Sequence, residues 1–203
     1  MISTVMLSAV RTILDEVTPS FWTDAEIYAA LADGQNQVIE KLLEGYRQTG
    51  RMKFELKSIE FDDVGTDDNV AVPAGMLELL RATYDYNGTT GEQPCQILSH
   101  GKVLEKEDSS FTTSTAIEPT AYIKSSTDAL KIYFLPTKSG TPAYTIWHIT
   151  KPTDIAAITD ATLPVTTHSA IIHYATSRMF EKDQRPQESQ QEYGLFIKEI
   201  EAL

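Results

Sequence analysis

Residues 21–46, FWTDAEIYAALADGQNQVIEKLLEGY, decide the fold that we predict for this chain. Thr23 and Glu26 have the spacing of a capping box, in which two side chains bind the free backbone N–H groups at a helix start. After them, apolar residues recur every three or four positions, which places them on one helix face. The face consists of Ile27, Leu31, Gly34, Val38, Leu42 and Tyr46. The stretch therefore predicts a long amphipathic helix that packs on its neighbours.

The other face of this helix is acidic. Its carboxylates follow one another at spacings of seven, seven and four residues, so that they form a single stripe along the helix. The stripe consists of Glu26, Asp33, Glu40 and Glu44.

The residues before the long helix predict a second helix. Apolar residues recur with helical spacing over residues 3–17, and Pro19 follows as a stop signal. Gly50 supplies the stop after the long helix. Residues 1–50 are therefore expected to form an N-terminal helical hairpin.

The middle of the chain, residues 51–150, is predicted to be a β-rich insertion. Apolar and charged residues alternate over residues 52–56, which favours a strand directly after Gly50. Residues 76–86 predict another strand that ends at the hairpin tip Asn87–Gly88. Three later segments, 121–124, 130–135 and 144–149, have the pattern of an antiparallel meander with one buried face. We expect five or six strands.

Residues 151–203 predict a C-terminal helical hairpin. Pro186 takes the favoured first position of the final helix. The apolar stripe of that helix consists of Tyr193, Phe196, Ile197, Ile200 and Leu203. The order of elements predicts an α+β fold, in which N- and C-terminal helices form a helical bundle with an inserted antiparallel β-sheet subdomain, in one composite domain.

The composition argues against a protein that grips nucleic acid. There are 29 acidic and 17 basic residues, the net charge is -12, and the basic residues are scattered. A phosphate-binding groove requires clustered lysines and arginines. Cys95 is the only cysteine, so no disulfide framework and no thiolate metal cluster is expected. We expect neither a signal peptide nor a membrane contact.

The sequence contains no motif of a known catalytic chemistry. His100, His148, His168 and His173 lack metal-ligand spacing, and no nucleophile elbow or phosphate-binding loop occurs. The acidic segment 62–69 lacks the order of ligands in a calcium loop, which favours a solvated turn. We therefore expect no enzyme activity, no catalytic residue, no metal and no cofactor.

Five segments together resemble the head-to-tail adaptor (connector) proteins of tailed bacteriophages. They are WTDAEIYAALADGQNQVIEKL (22–42), VPAGMLELLRATYDYNG (72–88), LKIYFLPTKSG (130–140), YTIWHITKPT (144–153) and LPVTTHSAIIHYATSRMFEK (163–182). In that family the first long helix commonly begins with a tryptophan, a cap residue and Asp-Ala-Glu. The matching residues here are Trp22, Thr23, Asp24, Ala25 and Glu26.

The resemblance implies a structural virion protein at the portal vertex, assembled in the host cytoplasm. Its partners would be further copies of itself in a ring, usually a dodecamer, the portal protein, and a tail or tail-completion protein. DNA would pass through the ring without specific binding, and no cofactor would be needed.

The resemblance also gives three groups of residues a possible role. The acidic stripe, Glu26, Asp33, Glu40 and Glu44, would line the channel, or it is an ordinary solvated face. The stripe of the last helix, Tyr193, Phe196, Ile197, Ile200 and Leu203, would contact the portal or a neighbouring subunit, although burial in the chain's own bundle is expected for at least half of it. Tail-facing loops would contain Asp62, Asp63, Asp67, Asp68, Asn87 and Gly88.

Two alternatives remain open from the sequence. One is another virion ring protein, such as a tail-completion protein, which differs only in its partner. The other is a non-viral α+β module that binds a ligand or carbohydrate, with Trp22, Trp147 and the tyrosines as stacking groups.

Overall fold

A computed structural model describes residues 3–16, 21–51, 53–57, 60–89, 91–107, 113–126 and 129–203. The chain divides into two compact units. The helical unit comprises Met1–Ile59 and Lys151–Leu203, and the β unit comprises Glu60–Thr150. The predicted α+β class, with helices at the N- and C-terminal ends of the sequence, is confirmed.

The described residues contain six α-helices, and all except α4 belong to the helical unit. They are α1 (Ser3–Ile13), α2 (Asp24–Thr49), α3 (Phe54–Lys57), α4 (His100–Glu107), α5 (His168–Lys182) and α6 (Pro186–Ala202). A 3-10 turn, Val165–Thr167, leads into α5. In the helical unit, α5 packs against α1, α2 and α6.

Helix α2 begins and ends as the sequence predicts. The Thr23 hydroxyl accepts a hydrogen bond from the Glu26 N–H at 3.3 Å, and the Glu26 carboxylate accepts one from the Thr23 N–H at 3.0 Å. At the other end Gly50 has a φ of 67°, and its N–H donates to the Tyr46 carbonyl at 2.7 Å. A glycine adopts this left-handed conformation without the steric cost that a Cβ would add. The predicted capping box and glycine stop are both confirmed.

Helix α1 ends earlier than its apolar pattern predicts. The pattern extends to Val17, which lies outside the described residues, but the helix stops at Ile13 and Asp15 has a φ of 57°. The Glu16 carboxylate then accepts hydrogen bonds from the N–H groups of Phe21 and Trp22. These backbone groups precede α2, so Glu16 satisfies them at the entrance to that helix.

The predicted strand over residues 52–56 is wrong. Residues 54–57 form the single helical turn α3. Glu55 and Leu56 are adjacent and both are buried, whereas a strand with one buried face would bury only alternate residues. Met52 lies outside the described residues.

Eight strands are described, all in the β unit. They are β1 (Glu60–Gly65), β2 (Asn69–Ala71), β3 (Met76–Asp85), β4 (Gln93–Pro94), β5 (Gln96–Leu98), β6 (Thr120–Ser126), β7 (Ala129–Leu135) and β8 (Ala143–Thr150). They form two four-stranded sheets in the orders β1-β8-β3-β4 and β2-β7-β6-β5.

The predicted meander is therefore wrong in two respects. Strands β6 and β7 pair antiparallel as expected, but β8 leaves them and pairs with β1 and β3 in the other sheet. In addition, β5 pairs with β6 in parallel, so one sheet is mixed. Strand β8 is buried at Ile146, His148 and Ile149, on both parities, as expected for a central strand.

The core of the β unit contains residues from both sheets. Phe134 of β7 stacks on Tyr84 of β3 at 5.0 Å and on Tyr144 of β8 at 5.1 Å between ring centroids. The other buried members of this cluster are Ala82, Ala121, Ile132 and Ile146. The two sheets thus pack face to face around a stacked aromatic centre.

Among the described residues, none of the helices combines the length and apolar character required to cross a bilayer.

Candidate functional site

The acidic stripe of α2 is accessible to solvent in the structure. Asp33, Glu40 and Glu44 are exposed, and Glu26 is half-buried. They lie on one side of a regular 26-residue helix, as the spacing predicts. The structure therefore brings the four carboxylates onto one continuous face.

Two carboxylates of the stripe are paired with lysines. Lys182 of α5 contacts the Glu26 carboxylate at 2.5 Å, and Lys41 contacts Glu44 at 3.0 Å. The hydrogen bond from Lys182, together with those from Thr23, lowers the pKa of Glu26 to about 2. The stripe therefore carries less net negative charge than its sequence indicates.

Asp33 and Glu40 have different surroundings. Asp33 lies with Arg178 and Lys182 in a surface cleft between α2 and α5, and Glu40 accepts a hydrogen bond from the neutral Gln37 at 3.0 Å. Because Arg178 and Lys182 are far from α2 in sequence, their positions beside the stripe were not predictable from its spacing.

The apolar stripe of α6 is split by burial. Phe196 is 0% exposed, and its ring packs edge-on against Tyr174 of α5 at 5.3 Å. Ile200 is also buried, whereas Tyr193 is 43% exposed. Ile197 and Leu203 are partly exposed. Only Tyr193, Ile197 and Leu203 thus retain surface with which a partner could pack.

A polar contact that was not predicted joins α5 to α6. His173 Nδ1 lies 2.7 Å from the Glu192 carboxylate, and both side chains are largely shielded from solvent. The partners are nineteen residues apart on different helices, so helical spacing carries no signal of the pair. The contact helps to fix α6 on the helical unit.

Two of the residues assigned to tail-facing loops do not lie in a loop. Asp62 and Asp63 belong to strand β1, because its pairing with β8 extends from Glu60 to Gly65. The prediction of a turn over the whole of residues 62–69 is wrong at this point. Asp67 and Asp68 do lie in the bend between β1 and β2.

The remaining loop residues lie at one end of the β unit. Asn87 and Gly88 form the turn after β3, where the Asp85 carboxylate accepts hydrogen bonds from both of their N–H groups. The loop between β7 and β8 contacts the bend between β1 and β2, because Lys138 pairs with Asp67. It also contacts the turn after β3, because the Ser139 N–H donates to the Tyr86 carbonyl. The structure therefore brings these three loops together.

Trp22 is buried, and one ring face of Trp147 is covered. Trp22 is 5% exposed, and the ammonium of Lys182 lies 4.9 Å from its ring centroid. Trp147 is partly exposed, but the guanidinium of Arg81 covers one ring face at 4.2 Å. These contacts do not favour the carbohydrate-binding alternative.

The histidines and the cysteine show no arrangement for metal binding or nucleophilic catalysis. No group of three His, Cys, Asp or Glu side chains within the described ranges is placed to hold a metal ion. His168 is buried and contacts the Leu163 carbonyl at 3.0 Å. Burial raises the pKa of Cys95 to about 12, which keeps the thiol protonated and weakly nucleophilic at neutral pH.

Comparison with known protein families finds one that matches almost the whole chain. The model described as SU10 adaptor protein matches residues 3–203. Comparison with curated proteins finds no significant match. The match includes both the helical unit and the β unit.

Proposed function

We propose that this chain, which belongs to the SU10 adaptor protein family, forms a ring beneath the portal of a tailed bacteriophage. Membership makes the chain a phage adaptor, a structural component of the virion that interacts with portal and tail proteins. The family match over residues 3–203 is the observation that carries the proposal. In the proposed ring, twelve copies assembled in the host cytoplasm extend the DNA channel and present a surface to the tail.

The acidic stripe of α2 is the proposed wall of the channel. Asp33, Glu40 and Glu44 are exposed, and a negative wall repels DNA phosphates, so that DNA passes without binding. Glu26 and Glu44 contribute less, because Lys182 and Lys41 pair with them.

The exposed part of α6 is the proposed portal contact. Tyr193 is exposed, Leu203, which directly follows α6, is partly exposed, and aromatic residues are frequent anchors of protein interfaces. Phe196 and Ile200 are buried within the helical unit and hold α6 in place, so they are not part of the proposed contact surface.

The loop cluster of the β unit is the proposed tail contact. It contains Asp67, Asp68, Asn87 and Gly88, and the bond between Lys138 and Asp67 holds two of the loops together. Asp62 and Asp63 are not part of this contact, because they lie in β1.

Electron microscopy of the portal complex tests the ring and its partner. The expected result is density for a closed ring of this chain directly below the portal. Density between the ring of another adaptor and the tail would identify a tail-completion protein, and absence of the chain from virions would contradict the proposal.

Substitutions in α6 test the portal contact. Tyr193→Ala combined with Leu203→Ala is expected to weaken binding to the purified portal by about tenfold or more, because both remove exposed apolar anchors. Gln191→Ala, at an exposed position of the same helix, is the matched control and should bind normally. Equal binding of the two variants would exclude this surface.

A further inference from the structure

Strand β1 (Glu60–Gly65) is the longest strand at a sheet edge in the described structure. It pairs on one side with β8, and the other edge strands, β2, β4 and β5, contain only two or three residues. The backbone N–H and C=O groups on its outer side are therefore open to another chain.

The side chains of β1 are exposed on both faces of the sheet. Four consecutive residues, 61–64, are exposed, and Phe61 and Val64 have 52% and 69% of their surface accessible. A strand covered by its own molecule would bury alternate residues. Apart from a ring contact between Phe61 and His148 at 6.3 Å, this pattern indicates an apolar surface that the described residues leave largely uncovered.

The two carboxylates between these apolar residues have no strong cationic partner. No cation of the described residues forms an ion pair with Asp62, and Asp63 lies 3.8 Å from His148 Nδ1. Glu60 differs, because Arg81 contacts it at 3.3 Å. Asp62 and Asp63 are thus available to a basic partner.

Three basic residues lie shortly before β1 in the sequence. Arg51, Lys53 and Lys57 follow α2, and none of their side chains forms an ion pair with the described residues. Glu55, between them in sequence, is buried and accepts a hydrogen bond from Thr166 at 3.2 Å. We call the three residues Arg51, Lys53 and Lys57 the basic segment.

We propose that strand β1 of one copy is the docking surface for the basic segment of an adjacent copy. The charges are complementary, since the exposed Asp62 has no ion pair among the described residues, Asp63 has only the 3.8 Å contact with His148, and three cations lie in the segment. Phe61 and Val64 supply apolar area on either side of the carboxylates. This inference rests on the proposed ring and assigns one of its subunit contacts.

The charges on β1 also disfavour a symmetric contact between the β1 strands of two copies. If two β1 strands paired antiparallel about a twofold axis through their centre, Asp62 of one copy would lie opposite Asp63 of the other. Like charges directly opposite in a sheet are destabilising. A contact between two different surfaces is instead the type that closes into a ring.

Charge reversal on the portal-bound ring tests the assignment. Asp62→Lys/Asp63→Lys alters only β1, and Arg51→Glu/Lys53→Glu/Lys57→Glu alters only the basic segment. Each variant alone is expected to lower ring occupancy on the portal by about tenfold or more, because like charges then face each other at every contact. Native mass spectrometry of the portal complex measures the number of bound copies.

Two combinations are expected to restore the ring. A chain that carries both sets of reversals again has opposite charges at each contact, and an equal mixture of the two single-surface variants can alternate around the ring. The control Glu105→Lys/Glu118→Lys makes the same change of net charge at exposed positions outside β1. It should assemble as the wild type does.

The outcomes separate this contact from the ring itself. The proposed contact is wrong if either single-surface variant forms rings of normal occupancy. It is also wrong if occupancy falls and neither combination restores it. Neither outcome contradicts the proposal that the wild-type chain forms a ring. A wild-type chain that binds the portal only as isolated copies overturns both. If the basic-segment variant forms normal rings but loses binding to duplex DNA, the segment contacts DNA rather than a second copy.

Discussion

At the residue scale, Glu26 connects the start of α2 with α5. Its carboxylate accepts the Thr23 N–H of the capping box and also contacts Lys182, 156 residues away. Both partners stabilise the charged form, with Lys182 the larger effect, so the pKa of Glu26 falls from 4.5 to about 2. A lowered pKa in the folded state means that the charged carboxylate stabilises the fold.

This pairing predicts a pH-dependent effect of Glu26→Gln. The stabilisation is complete above the unfolded pKa of 4.5 and is lost as the pH falls towards the folded value of about 2. The variant should therefore melt at a lower temperature than the wild type at pH 7, and the difference should shrink between pH 4.5 and pH 2. Thermal unfolding followed by circular dichroism over this range measures it.

Glu40→Gln is the control on the same helix face, because the partner of Glu40 is the neutral Gln37. It should change the melting temperature little at any pH. A constant difference between Glu26→Gln and wild type from pH 7 to pH 2 would show that the pairing acts through packing rather than charge.

Local residue patterns and distant partners differ in how far the sequence reveals them. The bond between Thr23 and Glu26 was predictable, because both belong to one helix start and their spacing sets the geometry. Lys182 beside Glu26 and Lys138 beside Asp67 were not, since each pair is brought together only by tertiary structure. The sequence was thus sufficient to name the acidic candidate residues, but it did not predict which of them are neutralised by a lysine.

At the scale of elements, the contact between α2 and α5 depends on a glycine. A Cβ at Gly34 would lie 2.9 Å from the Ile171 carbonyl oxygen, which is backbone and cannot rotate away. Gly34→Ala is expected to destabilise the protein by about 1–3 kcal/mol, because the two helices must move apart. Urea denaturation measures the change in free energy of unfolding.

Gly45→Ala provides a matched control within α2, since no atom lies within 4 Å of a Cβ at that position. Alanine has a higher helix propensity than glycine, so the free energy of unfolding of this variant should rise by up to about 1 kcal/mol. Opposite signs for the two substitutions are the expected result. Destabilisation of the same size at both positions would assign the effect to the helix backbone rather than to the contact with α5.

The element that the sequence predicted incorrectly shows the limit of periodicity. Residues 52–56 alternate as a strand would, but α3 forms there and buries both Glu55 and Leu56. The Glu55 carboxylate accepts a hydrogen bond from Thr166, more than a hundred residues away. A short alternating pattern is thus overridden by tertiary contacts that its sequence does not contain.

At the scale of the whole molecule, the fold class was easier to predict than the sheet topology. The order of helices, strands and helices implies an α+β protein because each pattern is local. The pairing of strands is not local: β8 follows β7 in sequence but joins β1 and β3. Both arrangements satisfy the same alternation of apolar residues, so the sequence pattern did not distinguish one sheet from two.

The separate cores of the two units predict a local response to a core substitution. All buried members of the cluster around Phe134 belong to the β unit. Phe134→Ala should lower the free energy of unfolding of the β unit by about 3–5 kcal/mol, because it leaves a cavity between the stacked rings of Tyr84 and Tyr144. Hydrogen exchange should then show faster exchange in β3, β7 and β8, while amides of α2 and α5 keep their protection.

Leu130→Ala is the control for this experiment, because Leu130 lies in the same strand but is 56% exposed. It should leave protection in both units nearly unchanged. If Phe134→Ala reduced protection equally in α2, α5 and the strands, the two units would unfold as one cooperative body. Retained protection in the helices would mean that the surfaces of α2 and α6 proposed for the channel and the portal persist when the β unit opens, so that portal binding and tail attachment can be altered separately by mutation.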